Sequence, residues 1–428
     1  MPPAPIHPLR LALRLRQDPI LRNTAIFLAG GLLAGLFGYV FHFVTGRLLG
    51  PAGYAVVAAG IAALYLLTLP GVVLQLVSAR FTSVAAANGN LALIQPLLFR
   101  ISAASVVGAV PVVVLVAVFA PAAARFLNIS DSRVVLVLAL GGIVTLLVTI
   151  TRGALQGLRR FFALSGNALL DAVTRVVVAV AFILLGLGPI GAIAAIMIGP
   201  LVAYFQSLYL LRRLAPAAGT TGDRVEGLGR YTLLAAAAGI GINYLFTADT
   251  LLAKHYLPSE QAGIYAAASV LARVVYFLGL TVTGVMFPEV ATLHARNLAH
   301  FHVVDRSLLM VAGIGVTLIL IYTVFPGLVL LPYGASFAPV RPYLGTFALA
   351  LTMLALANLM ISYFLSIASA RFVVPLLGAC VLETVLIVFF HSAISQIVGM
   401  VMVSLALLFG ATALLYSGER FRPTAVAI

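Results

Sequence analysis

The chain has 428 residues, 63% of them hydrophobic and only 8% charged, and its mean hydropathy is +1.17. That composition lacks the polar surface a water-soluble globule needs; it excludes most soluble chemistry and leaves lipid as the main solvent. The formal net charge of +14 is spread over many connecting segments. It is not gathered with aromatic residues into a groove-sized patch, so nucleic acid is not an expected partner.

In hydrocarbon every backbone N–H and C=O must be paired internally, so apolar runs of about twenty residues are expected as helices. The sequence therefore predicts an all-α polytopic membrane protein with about twelve transmembrane helices. In chain order, a basic cytoplasmic segment over 1–22 precedes spans at 24–46, 53–78, 101–123, 134–151, 163–187 and 189–211. The longest polar connection follows, RRLAPAAGTTGDRVEGLGR over 212–230, too short to bury a core and read as a flexible linker. Further spans lie at 231–253, 262–287, 307–331, 343–369, 372–390 and 393–416, with a cytoplasmic tail over 418–428. The expected domains are an N-lobe at 23–211 and a C-lobe at 231–417. The narrowest divisions are at 186–191 and 391–395, where one long re-entrant element would change the count. Pro70 with Gly71, Gly199 with Pro200, Pro326 and Pro375 mark places where the spans are expected to bend.

Short loops rich in lysine and arginine are retained in the cytoplasm. Arg80, Arg100, Arg152, Arg159, Arg160, Arg212, Arg213, Arg224, Arg230, Arg296, Arg306, Arg371 and the terminal arginines fall on one side of the predicted spans. Only Arg47, Arg125, Arg133, Lys254 and Arg341 fall on the other, while Arg175 and Arg273 lie inside spans. The expectation is a multi-pass inner (plasma) membrane protein with both termini cytoplasmic, its basic face attracted to anionic lipid. The first apolar stretch is too long for a signal-peptide core and is expected to act as its own anchor. Cys380 is the single cysteine, which removes intrachain disulfides and cysteine-based metal or redox sites.

A weak internal repeat relates the halves. LLGPAGYAVVAAG at 48–60 follows the first span, and YLPSEQAGIYAAASV at 256–270 follows the seventh. Six spans is an even number, so both halves enter the membrane in the same sense, which implies a pseudo-twofold axis along the membrane normal. Two six-helix lobes around a central cleft are the architecture of an alternating-access carrier.

GRLLGPAGYA at 46–55, LQGLRRF at 155–161, and the run from Asp249 through GIYAAASVLARV to FPEVATLHA ending at 295 together carry a family resemblance. In order and spacing they resemble the polysaccharide flippases of the MATE-related multidrug/oligosaccharidyl-lipid/polysaccharide (MOP) superfamily. The resemblance implies a MATE-like fold and movement of a polyprenyl-diphosphate-linked oligosaccharide, or similar lipid-linked glycan, from inner to outer leaflet. It implies no cofactor. The implied partners are that substrate, membrane lipids, and the glycan polymerase or glycosyltransferase machinery.

Charges inside spans are costly and tend to line a cavity or a pathway. Asp171 and Arg175, four apart, share a helix face and can neutralise each other. Arg273 has no acid at helical spacing. It is read either as a ligand for the diphosphate, since guanidinium forks onto phosphate oxygens, or as the partner of Asp249 or Glu383. Asp249, near the outer end of its span, is a candidate for gating or coupling. Glu383, mid-span, is a candidate proton carrier or a paired structural residue. Arg47, with Tyr39 and His42 below it on one helix face, forms a polar stripe able to accept sugar hydroxyls or phosphate; Asn243, Tyr244 and Thr247 offer the same from the second half. The Tyr and His of that stripe equally suit interfacial anchors.

Enzyme readings lack parts. No Gly-rich phosphate loop with a lysine, no HExxH and no paired carboxylates in an outer loop are present, and no metal site is expected. A membrane glycosyltransferase or polymerase would need a substantial charged outer loop. The transport alternative is a cation-coupled multidrug exporter on the same fold. A structural scaffold has no reason to keep ionised residues within its spans.

Overall fold

The computed structural model describes residues 19–129, 131–214 and 229–421. Most of the basic 1–22 segment, of the 212–230 linker and of the 418–428 tail lie outside the described residues. Every regular element among the described residues is helical.

α1 (Pro19–Leu67) bends sharply at Gly50, where φ of 66° and ψ of 177° is a conformation open essentially to glycine, and Pro51 follows. α2 (Pro70–Ala87) starts after a break at 68–69, where the Pro70–Gly71 bend was expected. α3 (Ile94–Val118) and the short α4 (Ala120–Phe126) lead to α5 (Arg133–Gly157). α6 (Phe161–Phe182) and α7 (Gly188–Leu214) pack against each other across a turn made by Gly186 and Gly188 at positive φ. The seventh expected span divides into α8 (Gly229–Leu245) and α9 (Ala248–Tyr256). α10 (Ser259–Ala295), α11 (Phe301–Val324), α12 (Pro326–Leu330), α13 (Arg341–Ser366), α14 (Val373–Phe389) and α15 (Ile394–Arg420) complete the chain.

Among the described residues, nine helical runs are long and apolar enough to cross a membrane. Ala29–Leu67 and Phe161–Leu214 each run through two of the expected spans, and Val373–Phe389 is a shorter apolar helix. This is why nine runs stand where about twelve spans are expected. Large apolar side chains such as Val107, Leu309, Val374 and Leu414 are exposed on the helix surfaces, as a lipid-facing exterior requires.

The helices gather into two compact units. The first holds the described residues of Met1–Thr45, Pro70–Ala123 and Asp131–Arg224, and the second those of Gly46–Leu69, Ala124–Ser130 and Val225–Ile428. The grouping follows the two halves of the chain except for segments 46–69 and 124–130, which pack with the second unit.

Lipid supplies little hydrophobic drive between helices, so close backbone approach through small residues has to hold them. In the first unit, Gly153 and Gly157, four apart on α5, press onto α2: a Cβ at either would collide with the carbonyl of Gln75 or Ala79. Ser78 Oγ donates to the Ile150 carbonyl at 2.7 Å in the same seam. Gly153→Val should therefore force α2 and α5 apart at a cost of about 1–3 kcal/mol or more. The check is the thermal unfolding midpoint of the detergent-purified protein, and an unchanged midpoint would contradict this packing.

In the second unit, α10 packs on α13, and both helices carry buried alanines, among them Ala267, Ala268 and Ala272 on α10 and Ala348 and Ala355 on α13. The two repeated motifs touch here. Gly263 lies so close to the Pro51 carbonyl that a Cβ would not fit, and buried Tyr54 places its hydroxyl 3.2 Å from that of Tyr333. Residues 124–129 are held at the C-terminal end of α9. Asn128 Nδ2 donates to the His255 carbonyl at 2.8 Å, Lys254 Nζ donates to the Asn128 carbonyl at 3.3 Å and to Ser259 Oγ at 2.9 Å, and the Phe126 ring stacks on His255. Lys254, read from sequence as an outer-side charge, is thus fully buried.

Candidate functional sites within the two units

In the first unit, α6 carries Asp171, and two arginines converge on it. Arg175, one turn on, binds it with both Nε (2.7 Å to Oδ1) and Nη2 (3.0 Å to Oδ2). Arg152, near the end of α5, donates from Nη2 to the same Oδ2 at 2.9 Å. Arg152 is further tied by its Nε to Asn167 Oδ1 at 2.7 Å, while Asn167 donates to the Ala203 carbonyl and to Gln206 Oε1, both at 2.6 Å. The cluster therefore carries two fixed positive charges against one negative one. Gly199 on α7 makes room for it: a Cβ there would lie 2.5 Å from Arg175 Cγ and 2.7 Å from Asp171 Oδ1. The Gly199–Pro200 pair, expected as a bend, lies within an unbroken α7 and serves as clearance for this ion cluster.

In the second unit the polar centre forms around the break between α8 and α9. The last carbonyls of a helix lack intrahelical partners and carry the negative end of its dipole, while the first amide groups carry the positive end. Both ends are matched by charge here. Arg273 Nη2 donates to the Phe246 carbonyl at 2.6 Å and to Thr250 Oγ1 at 3.2 Å, with its guanidinium 4.4 Å from the Phe246 ring centre. Asp249 sits in the first turn of α9 and accepts from the Tyr265 hydroxyl at 2.8 Å, from Ser269 Oγ at 3.3 Å and from Thr250 Oγ1 at 3.2 Å. Tyr265, Ser269 and Arg273 recur every fourth residue on α10, so a single helix face meets both ends of the broken helix.

Neither ion pair expected for Arg273 forms among the described residues. Its hydrogen-bond acceptors are a carbonyl and a hydroxyl, and the residue is only 6% exposed. Glu383 on α14 is fully buried, and neither of its carboxyl oxygens has a hydrogen-bond partner among the described residues.

The other expected residues are dispersed. Asn243 bonds back to the Gly239 carbonyl of its own helix at 2.8 Å, and Tyr244 meets Thr384 at 2.5 Å. Thr247 bonds to the Asn243 carbonyl at 2.6 Å. The stripe of Tyr39, His42 and Arg47 is divided, the first two belonging to the first unit and the exposed Arg47 to the second. Sequence reasoning passed over Arg152, Asn167, Gln206, Tyr265 and Ser269. Tyr265 and Ser269 lie in the quoted GIYAAAS run and could have been found from the fourfold spacing to Arg273.

Residues 20–294 match the family described as Polysaccharide biosynthesis protein. The chain belongs to this family. No curated protein matches the sequence. Among solved structures, an inward-facing multidrug resistance MATE family transporter of the MOP superfamily is similar at 13% identity and TM-score 0.74, covering 92% of this chain and 97% of that one. The lipid II flippase MurJ, in an inward closed conformation, is similar at 12% identity and TM-score 0.69, covering 92% of this chain and 87% of that one. A MOP superfamily transporter from Pyrococcus furiosus is similar at 15% identity and TM-score 0.59, covering 95% and 98% respectively. The polysaccharide biosynthesis protein described here thus has the fold of these membrane transporters and flippases.

Proposed function

We propose that this protein is a flippase moving a polyprenyl-diphosphate-linked oligosaccharide, or a similar lipid-linked glycan, from the inner to the outer leaflet for cell-surface polysaccharide synthesis. The observation that carries the reading is the family match over residues 20–294. Likeness to a lipid II flippase agrees with it. The Arg152–Asp171–Arg175 cluster supports an anionic cargo, because a guanidinium pair in excess of its carboxylate suits phosphate oxygens and repels organic cations.

In this reading the twelve expected spans form two lobes, 23–211 and 231–417, that work by alternating access in the inner membrane with both termini cytoplasmic. Asp249 and Glu383 are the coupling residues, Glu383 as the proton carrier. The potential across the membrane acts on each charge moved by roughly 2.3 kcal/mol per 100 mV. Glycan polymerase and glycosyltransferase machinery would supply and consume the cargo on either side.

The buried Asp249 and Glu383, together with the fold of a multidrug transporter, favour one competitor: a cation-coupled drug exporter. Translocation of a fluorescent polyprenyl-diphosphate oligosaccharide in proteoliposomes separates the two. The expected result is flipping by the wild type that falls at least about tenfold in Arg175→Ala, the scale of one lost charge-assisted contact. Wild-type inactivity alongside proton-driven efflux of a cationic dye would establish the exporter instead.

A further inference from the structure

Two arginines on one buried aspartate pose a question of charge balance that a single pair does not. If Arg175 alone neutralised Asp171, drawing its guanidinium onto an anion would strand the carboxylate in a low-dielectric interior, where an unpaired charge is expensive. With Arg152 also on Oδ2, Asp171 keeps a counter-charge after Arg175 leaves. The two arginines are not equivalent. Arg152 is the more enclosed, with its side chain 20% exposed, and is anchored twice, on Asp171 and on Asn167. Arg175 is 33% exposed and, among the described residues, bonds only to Asp171. Asn167 is in turn fixed by Ala203 and Gln206, so the Arg152 side of the cluster is braced from α7.

From this asymmetry we infer that Arg152, Asp171 and Arg175 form a diphosphate-binding site in which Arg175 swings from Asp171 onto the anion while Arg152 stays behind as the standing counter-ion. Arg152 is thus a positioning residue and Arg175 the ligand. The inference rests on the reading of an anionic headgroup, and it concerns the first unit alone. The ligand chemistry is that of a diphosphate, whether on a polyprenyl lipid or free in solution.

The test uses the full chain in lipid nanodiscs, with inorganic diphosphate and a short-chain polyprenyl diphosphate as separate titrants. Arg175→Gln should weaken binding about tenfold or more, the scale of a lost charge-assisted contact. Arg152→Gln should weaken it comparably even though Arg175 is intact, because Arg175 is then locked onto Asp171. Arg152→Gln combined with Asp171→Asn should bring binding back to within about threefold of wild type by freeing Arg175. A merely structural Arg152 would not be rescued by removing a second charge, and thermal midpoints of all variants show whether each is folded.

Binding of both titrants in this pattern supports a diphosphate site of either source. Binding of the lipid alone in the same pattern supports the site and assigns it to a membrane-borne headgroup. Wild-type affinity in Arg152→Gln, a double variant as weak as Arg152→Gln, or no binding of either titrant by the wild type overturns the inference. Should the variants behave as expected while wild type flips no lipid-linked glycan, the proposed cargo fails and this site stands.

Discussion

Arg273→Ala should destabilise the second unit by about 3–5 kcal/mol, in the absence of any substrate. The magnitude follows from what the guanidinium does at the α8–α9 break. It is a charged donor to the Phe246 carbonyl and Thr250, worth about 1.5–3 kcal/mol. It is a cation at a helix C-terminus in a buried setting, worth up to about 2 kcal/mol. It also lies over the Phe246 ring, worth about 0.5–2 kcal/mol. Arg273→Lys should recover roughly half, since an ammonium can still reach the carbonyl but has neither the planar fork nor the stacking face. The thermal unfolding midpoint of the purified protein is the measurement, taken with and without diphosphate. If the alanine variant keeps its midpoint and loses only transport, Arg273 is a substrate ligand, as its isolation in sequence suggested, and its capping role is incidental.

The difference between those two readings of Arg273 shows where sequence inference stops. Helical spans were legible because continuous apolar stretches in hydrocarbon have only one way to pair their backbone; the regular elements described between 24 and 416 are helical, although nine long apolar runs stand where about twelve spans are expected and several expected spans are interrupted. The Asp171–Arg175 contact was legible because a separation of four fixes a shared face. The break at 246–247 was not: YLFTA contains no glycine or proline, so nothing local signals that the helix stops. Arg273 was therefore matched to a diphosphate or to Asp249 or Glu383, when its hydrogen bonds go to the Phe246 carbonyl that the break exposes and to Thr250. Arg152 was passed over for a different reason. A charge near a span end looks like a loop residue, and only tertiary packing of α5 on α6 and α7 turns it inward to Asp171. The residues of Gly153 and Gly157 spell a small-xxx-small pair in plain view, yet which helix they receive is a property of the fold.

Asp171→Asn is the second variant with a large expected effect. Removing the one carboxylate leaves two guanidiniums, both within 3.0 Å of what was Oδ2, facing each other without compensation. Breaking a buried pair by deleting one partner costs about 3–5 kcal/mol, and the partial exposure of both arginines places this case near about 2–4 kcal/mol. Like-charge repulsion is the cause, so relieving it should restore stability. Arg152→Gln added to Asp171→Asn should recover most of the loss, and the coupling measured by a double-mutant cycle should be about 1–3 kcal/mol in the favourable sense. Screening gives an independent check: high salt should raise the midpoint of Asp171→Asn more than that of the wild type, because anions then occupy the excess positive charge. For the same reason diphosphate should stabilise Asp171→Asn by a larger shift in midpoint than it gives the wild type, whose Arg175 must first leave Asp171. An Asp171→Asn protein as stable as wild type, and indifferent to salt and diphosphate, would mean that the two arginines disperse to solvent once the carboxylate is gone and do not form an anion-binding pair.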